Sequence, residues 1–104
     1  MSNRRRKRKR YCERQVALWI VRGRERMSER VQSMIEASAD DACRGIDLAE
    51  QREQLVRAIY LNVDNADDWP FPRLGITFLS ERDFYRRRYV LLDALFGRLK
   101  VGKE

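Results

Sequence analysis

Arg82, Tyr85, Arg86 and Tyr89 recur at steps of three and four residues across one stretch, so on a helix they share one flank. An arginine on such a flank can present two parallel N–H donors to the O6 and N7 edge of guanine. Tyr85 and Tyr89 complete this base-reading set, where a phenol can also bond a phosphate or pack on a sugar. Ser80 stands where an N-cap is needed, and Asp83 three residues on imitates a capping box. Phe84, Leu91, Leu92, Leu95 and Leu99 fall at helical spacing and mark the buried side. Arg87 and Arg88 lie nearer that buried side and are expected to hold phosphates or to form salt bridges. A helix that buries one side and shows arginines and tyrosines at its N-terminal end suits a DNA major groove.

A second chemistry sits at the other end of the chain. Arg4, Arg5, Arg6, Lys7, Arg8, Lys9 and Arg10 form an unbroken basic run. Clustered arginines and lysines release counterions when they meet phosphates, so the seven residues at 4–10 are expected to be phosphate contacts. As bystanders they would only aid solubility. The run also accounts for the net charge of +7: seven of the 23 basic residues lie in it, which leaves 16 against 16 acidic residues elsewhere. Charge is segregated within that neutral body as well. Residues 36–54 hold six acids against two arginines, and residues 80–100 hold six bases against three acids. Two separate basic segments on a neutral body point to a polyanion met at two places.

Catalytic constellations are missing from the sequence. It has no histidine, the commonest general base and metal ligand. Its two cysteines, Cys12 and Cys43, are 31 positions apart and cannot alone build a structural zinc site. Asp64, Asp67 and Asp68 lack the spacing of a calcium loop. No enzyme activity, metal or cofactor is expected. Such sparse cysteine usage fits a reduced, cytoplasmic setting, and no stretch is apolar enough to predict a membrane span.

The elements that must position these residues are all helical, with no segment reading as a strand. Cys12, Val16, Trp19, Ile20, Gly23, Met27, Val31, Met34 and Ile35 follow one another at helical steps. They predict one long amphipathic helix over about 12–38, weakened at Gly23, with a second copy of the chain as a candidate partner for it. Asp47 and Glu50 imitate a capping box for a helix across about 48–63. Two prolines restrict Trp69–Gly75 to a short helix, and the last helix spans about 81–99. The expected organisation is therefore a disordered basic tail at 1–10, a long helix at 11–39, a loop at 40–46 and a helix-turn-helix domain at 47–101.

The motif Leu79-Ser80-Glu81-Arg82-Asp83-Phe84-Tyr85-Arg86-Arg87-Arg88, followed by Val90-Leu91-Leu92-Asp93-Ala94-Leu95, resembles the C-terminal helix of phage-encoded transcriptional regulators of the ArpU and RinA type. Those regulators themselves resemble region 4 of sigma-70 factors. Asp40-Asp41-Ala42-Cys43-Arg44-Gly45 sits where the family often has an acidic loop ending in Arg-Gly, and the Leu55–Ile59 stretch follows it as in the family. Two departures stand out. Asp83 replaces the family's usual Thr, and Trp69-Pro70-Phe71-Pro72-Arg73-Leu74-Gly75 replaces its scaffold turn. The resemblance implies a bacterial or prophage origin, a nucleoid-associated protein and control of late or mobile-element genes, with RNA polymerase as a further candidate partner.

From the sequence, the expected function is a sequence-specific double-stranded DNA-binding transcriptional regulator that reads the major groove with helix 81–99. The alternative is a small helical oligomerisation, adaptor or phage packaging protein that binds nucleic acid non-specifically through its basic tail.

Overall fold

A computed structural model describes the backbone of residues 2–101 and the side chains of residues 5–101. Among the described residues there are four α-helices and no strand: α1 (Ser2–Arg22), α2 (Glu29–Ala42), α3 (Ala49–Asp64) and α4 (Glu81–Val101). Two single 3-10 turns, Arg24–Arg26 and Phe71–Arg73, lie in the connections before α2 and α4. The all-helical expectation holds.

α4 is the organising element and packs against both α2 and α1. Phe84, Leu91, Leu92 and Leu95 are its buried side, as the spacing predicts. Ser80 accepts a hydrogen bond from the Asp83 backbone N–H at 3.1 Å, which fixes where the helix begins. α3 contributes Leu55, Ala58, Ile59 and Val63 to the same core. Asn62 is buried beside them and donates to the Trp69 carbonyl at 2.8 Å, tying the proline-rich connection back onto α3. Gly75 takes a positive φ of 72° on the way into α4, a conformation that costs glycine nothing.

The single long helix expected over 12–38 is in fact two helices around a corner. α1 stops at Arg22, and Ser28 starts α2 by accepting from the Val31 N–H at 3.3 Å. The corner is anchored on the C-terminal end of α3. Arg22 donates to the Val63 carbonyl at 2.8 Å, and Arg24 grips the Asp64 carboxylate with two bonds of 2.9 and 3.0 Å. Free carbonyls at a helix end attract guanidinium groups, so α3 supplies a reason to turn that helical spacing alone does not carry.

The buried side of α1 is also not the expected ladder. Ala17, Leu18 and Val21 are buried, while Cys12, Val16 and Trp19 are exposed. Two apolar stripes compete on this helix. The core uses the one with the small Ala17, which permits close approach of a neighbouring helix.

Three further expectations are corrected. Residues 2–10 continue α1 without a break instead of forming a disordered tail. Arginine and lysine are good helix formers, and the run keeps the register of the helix that follows. α2 extends to Ala42, which shortens the expected 40–46 loop. Leu48, not Asp47, occupies the N-cap position of α3, with no side-chain cap bond.

Candidate nucleic-acid interface

The N-terminal part of α1 lies beside α4. Lys7, Arg10, Tyr11 and Arg14 from α1 line one groove with Arg88 and Tyr89 from α4. The two basic segments, far apart in sequence, thus share a surface. Helical register explains the α1 contribution, since positions 7, 10, 11 and 14 follow steps of three and four.

Arg14 holds the groove in shape. It donates to both Asp93 carboxylate oxygens at 2.8 and 2.9 Å, and its guanidinium lies 4.3 Å from the centre of the Tyr89 ring. The hydrogen bond to Asp93 is the main reason its pKa is raised, outweighing desolvation. Arg88 is less well satisfied. Its Nε is buried without a hydrogen-bond partner, and its guanidinium lies 6.0 Å from the Tyr89 ring centre. Burial pulls its pKa down, and the neighbouring tyrosines only partly offset this. A guanidinium that has lost solvent and lacks a full set of acceptors gains from an anion nearby.

The other expected residues divide. Arg82 and Arg86 are exposed on the first turns of α4, about 9 Å along the axis from Arg88 in the case of Arg82. They stand outside the groove. Arg86 is held by Asp83, its Nε donating to the carboxylate at 3.0 Å, while its side chain stays 66% exposed. Tyr85 is half-buried and meets Phe84 edge-on, with ring centres 5.3 Å apart.

Arg87 leaves the expected phosphate set. Its side chain is only 13% exposed. Nη1 donates to the Ala42 and Arg44 carbonyls at 2.8 Å each, and Nε to Asp83 at 3.1 Å. All three acceptors belong to the chain, so this arginine caps the C-terminal end of α2. Arg98 supports the same helix, donating to Ser38 Oγ at 3.1 Å and Asp41 at 2.7 Å.

Of the expected basic run, Arg5, Arg6, Lys7, Arg8, Lys9 and Arg10 are exposed on α1. The side chain of Arg4 lies outside the described residues. Sequence reasoning missed Arg14 and Tyr11 as groove residues. Their signal was present, because both continue the side of α1 that carries Lys7 and Arg10.

The helix-turn-helix expected within residues 47–101 lacks one of its helices. Where its first helix was expected, the chain has a single 3-10 turn, Phe71–Arg73, against α4. Phe71 packs on Phe84 there with ring centres 5.5 Å apart. Arg73 stacks over Trp69 at 4.7 Å.

Elsewhere, Asp64 is engaged by Arg24, and Asp68 accepts from the Asn65 amide at 2.7 Å. Among the described residues no helix is long and apolar enough to cross a membrane. No family model, curated protein or solved structure matches this chain.

Proposed function

We propose that the protein is a sequence-specific double-stranded DNA-binding transcriptional regulator. In this reading the groove between α1 and α4 seats the phosphate backbone, while Arg82 and Arg86 reach base edges. The observation that carries the proposal is the convergence of Lys7, Arg10, Arg14 and Arg88 on one groove, with Tyr11 and Tyr89 between them. Such a surface follows a backbone, and the open flank of α4 beside it offers guanidinium groups to a major groove. Arg88, lining the groove beside Tyr89, is a phosphate ligand of the set. Tyr85 and Tyr89 pack along the sugar–phosphate edge. The likeness of the Ser80–Arg88 motif to phage-encoded regulators of the ArpU and RinA type supports regulation of phage or mobile-element genes. It makes RNA polymerase a candidate partner. The reduced Phe71–Arg73 turn then takes the place of the first helix of a helix-turn-helix.

Selection of bound sequences from a random duplex pool tests this directly. An enriched motif supports base reading, and recovery of an unbiased pool overturns it. Within an enriched motif, Lys7→Ala and Arg10→Ala together should weaken all sequences alike. They should also reduce the slope of log affinity against log salt by about two.

A further inference from the structure

Asp93 is an acid at the edge of a groove whose charged lining residues, Lys7, Arg10, Arg14 and Arg88, are all basic. Its carboxylate accepts two hydrogen bonds from Arg14, at 2.8 Å from Nε and 2.9 Å from Nη2. Among the described residues, no carboxylate pairs with Lys7, Arg10 or Arg88. The Asp93 side chain is 45% exposed, so its charge is felt from outside the fold. Position 93 also continues the flank of α4 that carries Arg82, Arg86 and Tyr89, at steps of four, three and four. The one acid bonded to a groove cation thus stands where the two basic segments meet.

The two Asp93 oxygens grip Arg14 in the fork geometry that two phosphate oxygens also use. We propose that Asp93 competes with phosphate for Arg14, so that the groove takes the phosphate chain of a duplex and rejects single anions. The competitor is tethered, which gives it a high effective concentration at Arg14. A lone sulfate or phosphate does not displace it. A chain of phosphates is held by Lys7, Arg10 and Arg88 at the same time, and those contacts offset the displacement. Arg14 stays in place through the exchange, because its guanidinium lies 4.3 Å from the Tyr89 ring centre. Stacking uses the face of the group and leaves its edge to the acceptor. A phosphate on the N–H groups that Asp93 does not use still meets the carboxylate's charge at close range.

This inference rests on the groove seating phosphates, and not on base reading by Arg82 and Arg86. The experiment titrates wild type and Asp93→Asn with a duplex of random sequence at several salt concentrations. Asparagine keeps the size of the side chain and removes its charge. Affinity should rise about tenfold at fixed salt, and the slope of log affinity against log salt should steepen by about one. Asp93→Ser should give the same gain, and circular dichroism shows that each variant keeps its helices. In an Arg14→Gln background the gain from Asp93→Asn should be about threefold smaller, because the contested group is gone. Inorganic sulfate should leave the Arg14 Nε–H resonance of wild type unmoved and shift that of Asp93→Asn.

An unchanged or weakened duplex affinity in folded Asp93→Asn and Asp93→Ser overturns the proposal. A gain undiminished beside Arg14→Gln does so too, since it would reflect charge alone. Sulfate that shifts the wild-type resonance as readily as the variant's overturns the rejection of single anions. If neither protein binds the duplex, the phosphate groove itself falls. A selection that enriches no motif, beside a tighter Asp93→Asn, removes base reading and leaves the competition standing.

Discussion

Arg87 donates to the main-chain carbonyl of Ala42 at 2.8 Å, joining the second turn of α4 to the last turn of α2. The same Nη1 reaches the Arg44 carbonyl at 2.8 Å, so one guanidinium closes the end of a helix that has no basic residue of its own in the last turn. Unpaired carbonyls at a half-buried helix end are costly. Arg87→Ala should lower stability by about 2–3 kcal/mol. Arg87→Lys should recover only part of this, because an ammonium cannot bond carbonyls and Asp83 in the same fork. Urea denaturation measures both, and an unchanged midpoint in Arg87→Ala would mean that water replaces the guanidinium without loss.

Arg86, one residue earlier, should behave in the opposite way. Its side chain is two-thirds exposed and pairs with Asp83 on the surface, a contact worth little to folding. Arg86→Ala should change stability by less than about 0.5 kcal/mol; on the proposed function it should weaken DNA binding by about 1–3 kcal/mol and relax one base position. If affinity falls equally for every sequence, Arg86 is a backbone contact and not a reader.

Asp83 links these two arginines and gives the fold an acid-sensitive point. Hydrogen bonding from Arg86 is the largest cause holding its carboxyl below the ordinary value of 3.8, with Arg87 adding to it against an opposing desolvation. A carboxyl depressed in the folded state binds its proton more readily when unfolded. Its contribution is therefore complete above the unfolded pKa and is lost as pH falls through that value toward the folded one. Stability should begin to drop below about pH 5 and continue through pH 4. Asp83→Asn should flatten that part of the profile, and denaturation midpoints across the acid range show whether it does.

The sequence revealed α4 more fully than any other part of the chain. Ser80, the apolar spacing and the buried Phe84, Leu91 and Leu95 are local signals, and each survives in the structure. The role of Arg87 was not legible, because its acceptors at residues 42 and 44 are more than forty positions away. The same holds for Arg14, whose partner is Asp93. On α1 two apolar stripes satisfy the helical period equally well, and only the packing of neighbouring helices selects Ala17, Leu18 and Val21 for the core. The corner between α1 and α2 combines both difficulties. Apolar spacing continues through it, while the arginine contacts that turn the chain lie on the end of α3.

That corner begins at Gly23, where weakening was expected, α1 ending at Arg22 and Ser28 starting the next helix. Gly23 has a φ of −96°, which any residue adopts. A Cβ there would meet the terminal methyl of Met27 at 3.3 Å, the flexible end of a side chain. Gly23→Ala should therefore be neutral to slightly stabilising, by up to about 1 kcal/mol, because it restricts the unfolded chain. Ser28 instead accepts the Val31 N–H, satisfying one of the unpaired donors at the start of α2. Ser28→Ala should cost about 1 kcal/mol. Thermal denaturation of the two variants separates the cases: if Gly23→Ala is the more damaging, the glycine's freedom sets the corner; if Ser28→Ala is, the cap does.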